Sequence, residues 1–385
     1  MSIKIERKPL SGVRVVDFSM HMAGPFCTRA LADLGADVIK VEPPAGDNMR
    51  NMPPMRAGTS SYFGQVNVGK RSVVLDLKES ADREAAKRLV QTADVVIENG
   101  RPGSMAALGL GFADLYLHNS RLIYCSISGY GQEGPGAQRP AYAMTIHAES
   151  GMDLANMSYQ DKQDRPSNVG IFTADYLAGV YSLSAILAAL YDREKTGVGQ
   201  LLDVALMDCV LNMLIYEVQD AQFPSGKRRN VYKPLRTRDG YIMLPLVTQK
   251  NFMALFEAIG RADMKTDPRY STPDARAISW NEIFDILDSL TATKSTDELL
   301  ALLTAAGVPV ARYRSVGETL NDPQLGARGT LSIAFDRAGQ FKVVNQPFTM
   351  SNASTAANLR APALGEHNAE IFEQIGHKGR SSIAT

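Results

Sequence analysis

Short apolar runs alternate with amphipathic stretches along the first third of the chain. Five mainly apolar runs lie at 13–18, 37–42, 72–77, 94–99 and 121–128. Helical patterns separate several of them, as at 24–35 and 79–93. Nearly continuous apolar runs of this length are typical of parallel strands buried on both faces, with helices crossing between them. The pattern therefore predicts a doubly wound α/β domain with a parallel sheet.

The long apolar stretch from Tyr176 to Leu190 has a helical repeat. Its large residues recur every three or four positions, and Gly179 and several alanines provide small surfaces, which indicates a helix buried on most sides. Charged residues and Gly197 mark its end. A strand that leads into another buried helix is predicted within 201–215.

A break in the pattern suggests a domain boundary. The segment "QFPSGKRRNVYKP" at 222–234 contains Pro, Gly and consecutive basic residues, and we interpret it as an inter-domain connection. Helices around 252–259 and 281–291 follow, and the runs at 331–336 and 341–348 indicate antiparallel strands before a terminal helix. The predicted parts are a large domain at 1–221, a linker and small α+β domain at 222–325, and a C-terminal segment at 326–385.

Composition and charge narrow the classes of function. Apolar residues make up 45% of the 385 residues and charged residues 21%, as in soluble globular proteins. Lys plus Arg and Asp plus Glu both total 41, so no overall field favours nucleic acid or an anionic membrane surface. The first ten residues carry charges where a signal peptide needs an apolar core, and no run is long enough to predict a membrane span. We therefore expect a cytoplasmic protein.

Several patterns resemble functional motifs without meeting their requirements. The segment "GYGQEG" at 129–134 fits a dinucleotide-binding pattern, but Pro135 and Pro140 stand where the phosphate-binding helix begins, so we interpret it as a loop over a pocket. Histidines and cysteines have no metal-ligand spacing, and no metal site is predicted. His147 is interpreted as a packing residue in preference to a general base. Buried, unpaired side chains are expected at Cys27, Cys125 and Cys209.

Asp175 stands at the start of the long helix, and two interpretations of it are open. As a helix cap, its carboxylate would accept backbone N–H groups and stabilise the fold by about 1 kcal/mol. As a functional group, it would present an anion at the cleft beyond the strand ends, where doubly wound folds bind ligands. Spacing alone favours the cap. In either role we expect an ionised group at pH 7, because even a rise of about 2 units from a free pKa of about 3.9 stays below neutrality.

Nine segments in chain order carry a resemblance to a known family. Among them are "PLSGVRVVDFSMHMAGPFCTRALADLGADVIKVEPP", "ADVVIENGRPG", "TADYLAG" and "LAALYDREKTGVGQLLDVAL". The chain resembles the class III CoA-transferases, the CaiB/BaiF family that includes formyl-CoA transferase and carnitine CoA-transferase. The resemblance implies a Rossmann-like large domain, a C-terminal segment that returns to it, and a homodimer in which two chains interlock as rings.

The resemblance also implies roles for single residues. Asp175 of "TADYLAG" matches the family's nucleophile, which attacks an acyl-CoA thioester and then carries CoA as an aspartyl thioester to an acceptor acid. Coenzyme A is thus implied as a substrate and not as a permanently bound cofactor. Lys70, Arg71, Lys78 and Arg101 are candidates for a basic path to its phosphates, with a surface role as the alternative for Lys70 and Arg71. The positions that match the family's CoA contacts are Met22, Ala23, Leu75, Lys78, Asn99, Gly100, Arg101 and Tyr142.

Departures from the family's pattern bear on the substrate. Related α-methylacyl-CoA racemases carry a His-Asp pair where this chain has Tyr142 and Ala143, so the base for removing an α-proton is missing. The tetraglycine loop of oxalate-active relatives is absent after Phe223. The leading hypothesis is CoA transfer from a small acyl-CoA such as succinyl-CoA to a carboxylic acid. A racemase-like isomerase and a CoA-binding protein without turnover are the alternatives. Candidates to pair with a second carboxylate on the acid are Arg50, Arg56 and Arg139.

Overall fold

The computed structural model describes residues 7–160, 163–224, 226, 230–356 and 358–377. The chain forms two compact units, of which one comprises 1–223 and 324–385 and the other 224–323. The chain leaves the first unit after Phe223 and returns to it at Gln324. The boundaries predicted from the sequence pattern are at 222 and 326.

The first unit is built on a six-stranded parallel sheet. Its central strands are fully buried at Val15, Val16, Val95, Val96 and Ile97, because helices cover both faces. In chain order, the strands up to residue 223 are β1 Arg14–Asp17, β2 Asp37–Glu42, β3 Met55–Arg56, β4 Thr59–Ser60, β5 Arg71–Val74, β6 Val95–Glu98, β7 Ile123–Ser128 and β8 Leu201–Ala205. Outside the large sheet, β3 and β4 pair as a small antiparallel hairpin.

The order of the strands in the sheet is β5-β2-β1-β6-β7-β8. The chain starts in the middle, winds to one edge, returns to the middle and winds to the other edge. This order confirms the doubly wound α/β prediction and places a topological switch point between β1 and β6. Beyond the carboxyl ends of these two strands, the connecting loops diverge and leave room for a ligand.

Helices cover the sheet on both sides and divide the apolar core into two large clusters. In chain order, the helices up to residue 223 are α1 Ala23–Asp33, α2 Ser61–Asn67, α3 Ser80–Gln91, α4 Ser104–Ala107, α5 Phe112–Tyr116, α6 Ala143–Glu149, α7 Met152–Tyr159, α8 Thr173–Thr196, α9 Leu206–Met213 and α10 Ile215–Gln222, with a 3-10 turn at Asn48–Asn51. Cys27, Cys125 and Cys209 are buried and unpaired, as predicted.

The long helix α8 packs closely against α1. A methyl group on Gly179 would lie 2.9 Å from the carbonyl oxygen of Ala23, so glycine allows the two backbones to approach. As predicted, the helix ends at Gly197, which adopts a left-handed conformation with φ of 74°. By length and composition α8 is the one described helix that is long and apolar enough to cross a membrane. Here it packs along α1, β7 and α9 and carries Asp175 in its first turn.

The second unit has its own apolar core around a small antiparallel sheet. Phe252, Phe256 and Phe284 are buried in that core. Its elements are β9 Leu235–Thr237, β10 Gly240–Met243, α11 Gln249–Ala258, a 3-10 turn at Ala262–Lys265, α12 Pro273–Ile278, α13 Trp280–Thr291, α14 Thr296–Ala305, β11 Ala311–Arg312 and α15 Val316–Thr319. The strand order is β11-β10-β9, and the unit is an α+β fold.

The C-terminal segment completes the first unit. Its elements are α16 Pro323–Ala327, which begins at the boundary, the antiparallel strands β12 Leu331–Asp336 and β13 Gly339–Val344, and α17 Asn368–Gln374. His367 donates its backbone N–H to the Ser72 carbonyl at 3.0 Å, and Asn368 accepts the Val74 N–H through Oδ1 at 2.8 Å. These bonds cover the outer edge of β5. Ile371 is fully buried in the core on one face of the sheet.

Candidate active site

A cavity of about 620 Å³ lies at the switch point. Its walls come from the loops after β1, β6 and β7 and from the first turn of α8. Seven of the nine site residues named from the sequence line it: Met22, Ala23, Asn99, Gly100, Arg101, Tyr142 and Asp175. Residues that are distant along the chain therefore meet in one cavity because the strands that precede them are neighbours in the sheet.

The other two predicted contacts, Leu75 and Lys78, lie outside the cavity wall. Leu75 is buried in the core beneath the sheet edge, and Lys78 is exposed in the turn after β5. Their contact with CoA stays a prediction.

Two of the four candidates for a basic path to the CoA phosphates, Lys70 and Arg71, are already paired. Lys70 is fully buried and donates to Asp17 at 3.0 Å and to Asn67 Oδ1 at 2.8 Å. Arg71 pairs with Asp37 at 2.6 Å. Both side chains therefore serve the structure of the first unit.

Asp175 is in the third position of α8, and its carboxylate is largely buried in the cavity wall. Burial raises the pKa of this carboxyl group to about 6. Within the described residues its oxygens make no hydrogen bond or ion pair. The cap interpretation is therefore wrong for this side chain, and the N-cap position is held by Phe172.

His147 performs the capping that the sequence suggested for Asp175. Its imidazole is fully buried, and Nε2 accepts the backbone N–H of Ala174 at 3.1 Å. The neutral ring therefore carries its proton on Nδ1. Burial also lowers the pKa of His147, which favours this neutral form. His147 is thus a structural residue, in agreement with the packing interpretation, and it leaves the Asp175 carboxylate free of the helix end.

The loop between β1 and α1 is held residue by residue from neighbouring strand ends. Asn99, after β6, brackets Met20: its Nδ2 donates to the Met20 carbonyl at 2.7 Å, and its Oδ1 accepts the Met20 N–H at 2.9 Å. Lys40 of β2 donates to the Ser19 carbonyl at 2.7 Å and pairs with Asp47 at 2.9 Å. All of these contacts fix the backbone that leads to Met22 and Ala23.

A buried ion pair supports the same loop from below. Asp17, at the end of β1, accepts bonds from Ser19, Thr28 and Lys70. Burial opposes ionisation of Asp17, but Lys70 and Lys40 outweigh it and lower the pKa of the carboxyl group to about 2. Burial lowers the pKa of Lys70 to about 8, against the opposing attraction of Asp17. This buried ion pair therefore fixes the end of β1 and the start of the loop, although neither residue lines the cavity itself.

Glu98 is a second buried carboxyl group of the cavity. Its Oε2 accepts the Gly100 N–H at 2.7 Å, which fixes the turn that carries Arg101. Burial raises the pKa of Glu98. Ser126 lies opposite it on β7, and Asp203 lies opposite Ser126 on β8.

Asp203 accepts the Gln132 N–H at 2.9 Å and so holds the glycine-rich loop. Gly129 of that loop lines the cavity, and the helix after it begins only at Ala143. This late start agrees with the rejection of a dinucleotide site.

The arginines proposed for a second carboxylate all have acidic partners. Arg50 binds both oxygens of Glu42, at 2.6 and 2.7 Å, and Arg139, on the cavity wall, pairs with Glu149. Arg56 is 2.7 Å from Asp336. Arg101, by contrast, is exposed at the cavity and has no ion-pair partner in the described part of the chain.

Sequence reasoning missed most of the cavity's apolar wall. Six methionines line it: Met20, Met22, Met49, Met52, Met105 and Met144. Only Met22 was named from the sequence, because these residues lie on different loops and helices and share no spacing. A signal did exist for the buried ion pairs that hold the loop after β1, since Lys40 interrupts an otherwise apolar buried strand and such a charge needs a buried partner.

Comparison with known proteins identifies the family of this chain. Residues 10–368 match the family described as CoA-transferase family III. Succinate--glutarate CoA-transferase of Agrobacterium fabrum is 34% identical over 389 residues, which cover 96% of each chain. Succinyl-CoA--D-citramalate CoA-transferase of Chloroflexus aurantiacus is 32% identical over 97% of this chain and 96% of its own. A crystal structure of a CAIB/BAIF family protein from Brucella suis is similar with a TM-score of 0.85 and 35% identity, over 96% of this chain and all of that one. The chain therefore belongs to CoA-transferase family III.

Proposed function

We propose that this enzyme moves CoA from an acyl-CoA to a free carboxylic acid, with Asp175 as the nucleophile. The observation that carries the proposal is the Asp175 carboxylate, which lies in the wall of the switch-point cavity and has no competing partner among the described residues. With a pKa of about 6, roughly nine tenths of this group is ionised at pH 7. It is therefore an available and poorly solvated nucleophile.

Four substitutions at carbonyl carbon complete the proposed exchange. An Asp175 oxygen attacks the acyl-CoA carbonyl, the C–S bond breaks, and a mixed anhydride and CoA thiolate form. The thiolate attacks the aspartyl carbonyl of the anhydride, which releases the first acid and leaves an aspartyl-CoA thioester. The acceptor carboxylate attacks that thioester and again releases the thiolate, which then attacks the acceptor carbonyl and frees Asp175. Every nucleophile and leaving group is an anion, so no proton needs to be moved.

The apolar wall beside Asp175 supports such a route. Met22, Met49 and Phe63 form an apolar cluster, against which Tyr62 and Phe172 pack. Tyr62 and Phe172 also line the cavity, as Asp175 does. A mixed anhydride is sensitive to water, and an apolar wall excludes water from it. This arrangement favours transfer over hydrolysis.

For the donor, we propose that CoA lies against Met22, Ala23, Asn99, Gly100, Arg101 and Tyr142. Arg101, which has no ion-pair partner among the described residues, supplies the cation for a CoA phosphate. The family members named above act, by their names, with succinyl-CoA or succinate, and succinyl-CoA is therefore the donor we propose to test first.

We further propose that the enzyme works as a homodimer with interlocked chains. Support comes from the family resemblance and from apolar side chains that one chain leaves exposed. On and after α9, Leu211, Met213, Ile215 and Phe223 are between 40% and 74% exposed. A second copy of the chain would cover such a surface.

Trapping with hydroxylamine tests the nucleophile. Incubation with succinyl-CoA followed by hydroxylamine should convert Asp175 to a hydroxamate that peptide mass spectrometry locates. Asp175→Ala should show no modification and lose CoA transfer by at least about three orders of magnitude, because the covalent route is closed. Full transfer activity in Asp175→Ala would refute the proposal. Exchange of the substrate's α-hydrogen with heavy water in the absence of an acceptor acid would support the racemase-like alternative instead.

A further inference from the structure

Among the described residues, three side chains that can carry positive charge line the cavity: His21, Arg101 and Arg139. Arg139 is engaged, since it pairs with Glu149 and lies 4.6 Å from the centre of the Tyr130 ring. Arg101 is exposed and is the group we assign to a CoA phosphate. His21 is partly buried on the loop between β1 and α1, directly before Met22 and Ala23. It is the basic side chain of the cavity that has no assigned role.

The backbone of His21 is strained. Its φ of 63° lies in the left-handed region, and Ala57 is the one other non-glycine residue of the described chain with a positive φ. Such a conformation persists only where the surroundings impose it, and it is enriched at functional sites. Two contacts hold the backbone of His21 in this conformation. Asp47 accepts the His21 N–H at 3.4 Å, and Asp47 is itself paired with Lys40.

The side chain of His21 is unpartnered in the part of the chain that the structure describes. Its neighbour Met20 is bracketed on both backbone groups by Asn99, so the loop has little freedom to withdraw His21 from the cavity. A strained, clamped backbone that presents an unpaired imidazole to a ligand-sized cavity is preorganised for binding. An anionic or polar group of the substrate could form the hydrogen bond that the His21 ring does not make within the described residues.

The apolar wall indicates the kind of chain that links the substrate's anionic or polar group to its reacting carbon. Methionine side chains are flexible and unbranched, and six of them line the cavity. They fit a chain of methylene groups with one carboxyl at Asp175. A second carboxylate at the other end of the chain would need a cation or an N–H donor as its partner, because an unpaired charge in an apolar cavity is strongly unfavourable.

We propose that His21 binds the second carboxylate of the acid substrate and makes this enzyme selective for dicarboxylic over monocarboxylic acids. The inference rests on the proposed function, because it assumes that the first carboxyl group reacts at Asp175. It replaces the arginines considered from the sequence, since Arg50, Arg56 and Arg139 each pair with a carboxylate of the protein itself.

An internal competition tests this selectivity. The enzyme receives one donor, succinyl-CoA, and equal amounts of glutarate and pentanoate, which have the same number of carbons. The ratio of glutaryl-CoA to pentanoyl-CoA, read by mass spectrometry, depends only on the acceptor step, so any effect of a variant on the donor cancels. The wild-type ratio should exceed about ten, the value of one charge-assisted hydrogen bond.

His21→Asn removes the imidazole ring and keeps a residue that tolerates a left-handed backbone. It should lower the product ratio about tenfold. His118→Asn is the matched control, because His118 is exposed and outside the cavity wall, and its ratio should equal that of the wild type.

The outcomes separate the two proposals. An unchanged ratio in His21→Asn, or a wild-type enzyme that prefers pentanoate, overturns the role of His21. If the Asp175 hydroxamate still forms in those cases, the proposed CoA transfer stands without it. If neither a hydroxamate nor any CoA product forms, both proposals fail.

Discussion

At the scale of single residues, His147 performs the helix capping that spacing suggests for Asp175. An aspartate in the first turn of a helix is expected to accept N–H groups, yet the buried His147 ring does so at Ala174. The carboxylate of Asp175 therefore receives no compensation for its burial, which is why its pKa rises to about 6. The same burial that supports the proposed attack by this group destabilises its ionised form in the folded protein.

Replacing Asp175 by Asn should stabilise the protein at neutral pH but not in acid. Between about pH 4 and pH 6 the folded chain holds a proton on Asp175 that the unfolded chain has released. Wild-type stability therefore falls, relative to Asp175→Asn, as pH rises through this window. The gain of the variant should reach about 1–3 kcal/mol at pH 7. Urea unfolding of both proteins from about pH 4 to about pH 7 measures it.

Asp164→Asn is the control for this measurement. Asp164 is exposed, so the same substitution there should change stability by a small amount that does not vary with pH. If the difference in unfolding free energy between wild type and Asp175→Asn were also independent of pH, it would contradict the burial of the Asp175 carboxyl group.

At the scale of elements, the loop between β1 and α1 depends on side chains from two other strand ends. Asn99 follows β6, and Lys40 belongs to β2. The strands on either side of β1 therefore hold the loop that forms one wall of the cavity. Parallel packing is what brings these side chains together, since all three strands present their carboxyl ends at one edge.

Asn99→Asp should impair catalysis beyond its effect on stability. The variant loses the Nδ2 donor and places a carboxylate oxygen against the Met20 carbonyl, so the loop can no longer be bracketed. We expect a loss of about 1–3 kcal/mol in unfolding free energy. We also expect about a tenfold to hundredfold loss in kcat/KM of the folded enzyme, because small displacements of positioning groups have effects of this size.

Asn119→Asp provides the matched comparison. Asn119 also uses its amide to bridge backbone groups, donating to the Ala93 carbonyl at 2.8 Å and accepting the Arg121 N–H at 3.2 Å. These bonds lie before β7, away from the cavity. Asn119→Asp should lose a similar amount of unfolding free energy, while the kcat/KM of its folded fraction is retained. Equal losses of kcat/KM in both variants would mean that the Asn99 bracket has no special role.

The sequence pattern predicts elements better than it predicts their partners. Alternating apolar runs suffice for the doubly wound sheet, because each buried strand and helix leaves its own local periodicity. Lys40 within "DVIKVE" signals a buried ion pair, but nothing local identifies Asp47 as the partner. The Asn99–Met20 bracket joins positions 79 residues apart. Contacts of this kind depend on strand order, which single-residue spacing does not encode.

At the scale of the whole molecule, the first unit combines residues from both ends of the chain. Segments up to Phe223 and from Gln324 onward form one unit, and the second unit is contiguous between them. The same unit exposes apolar side chains on and after α9, among them Ile215, which is 73% exposed. A chain built in this way has a surface that another copy can cover.

Light scattering should give a solution mass of twice the 41.8 kDa of one chain. If folding and association are linked as in an interlocked dimer, the urea midpoint should rise with protein concentration. Ile215→Glu should lower that midpoint, because it places a charge in the proposed interface. Leu117→Glu is the control, since Leu117 is 83% exposed at another place in the first unit. A folded, active protein with the mass of one chain would contradict the dimer.

The return of the chain to its first unit has a consequence for synthesis on the ribosome. Val73 and Leu89 belong to the same buried cluster as Ile371, so that cluster stays open until residue 371 has been made. The second unit, by contrast, has all buried members of its apolar cluster between positions 235 and 308 and can close earlier. The unit that begins first is therefore finished last. Nascent chains carry its uncovered apolar surface through most of translation, which is the stage at which chaperones have most to bind.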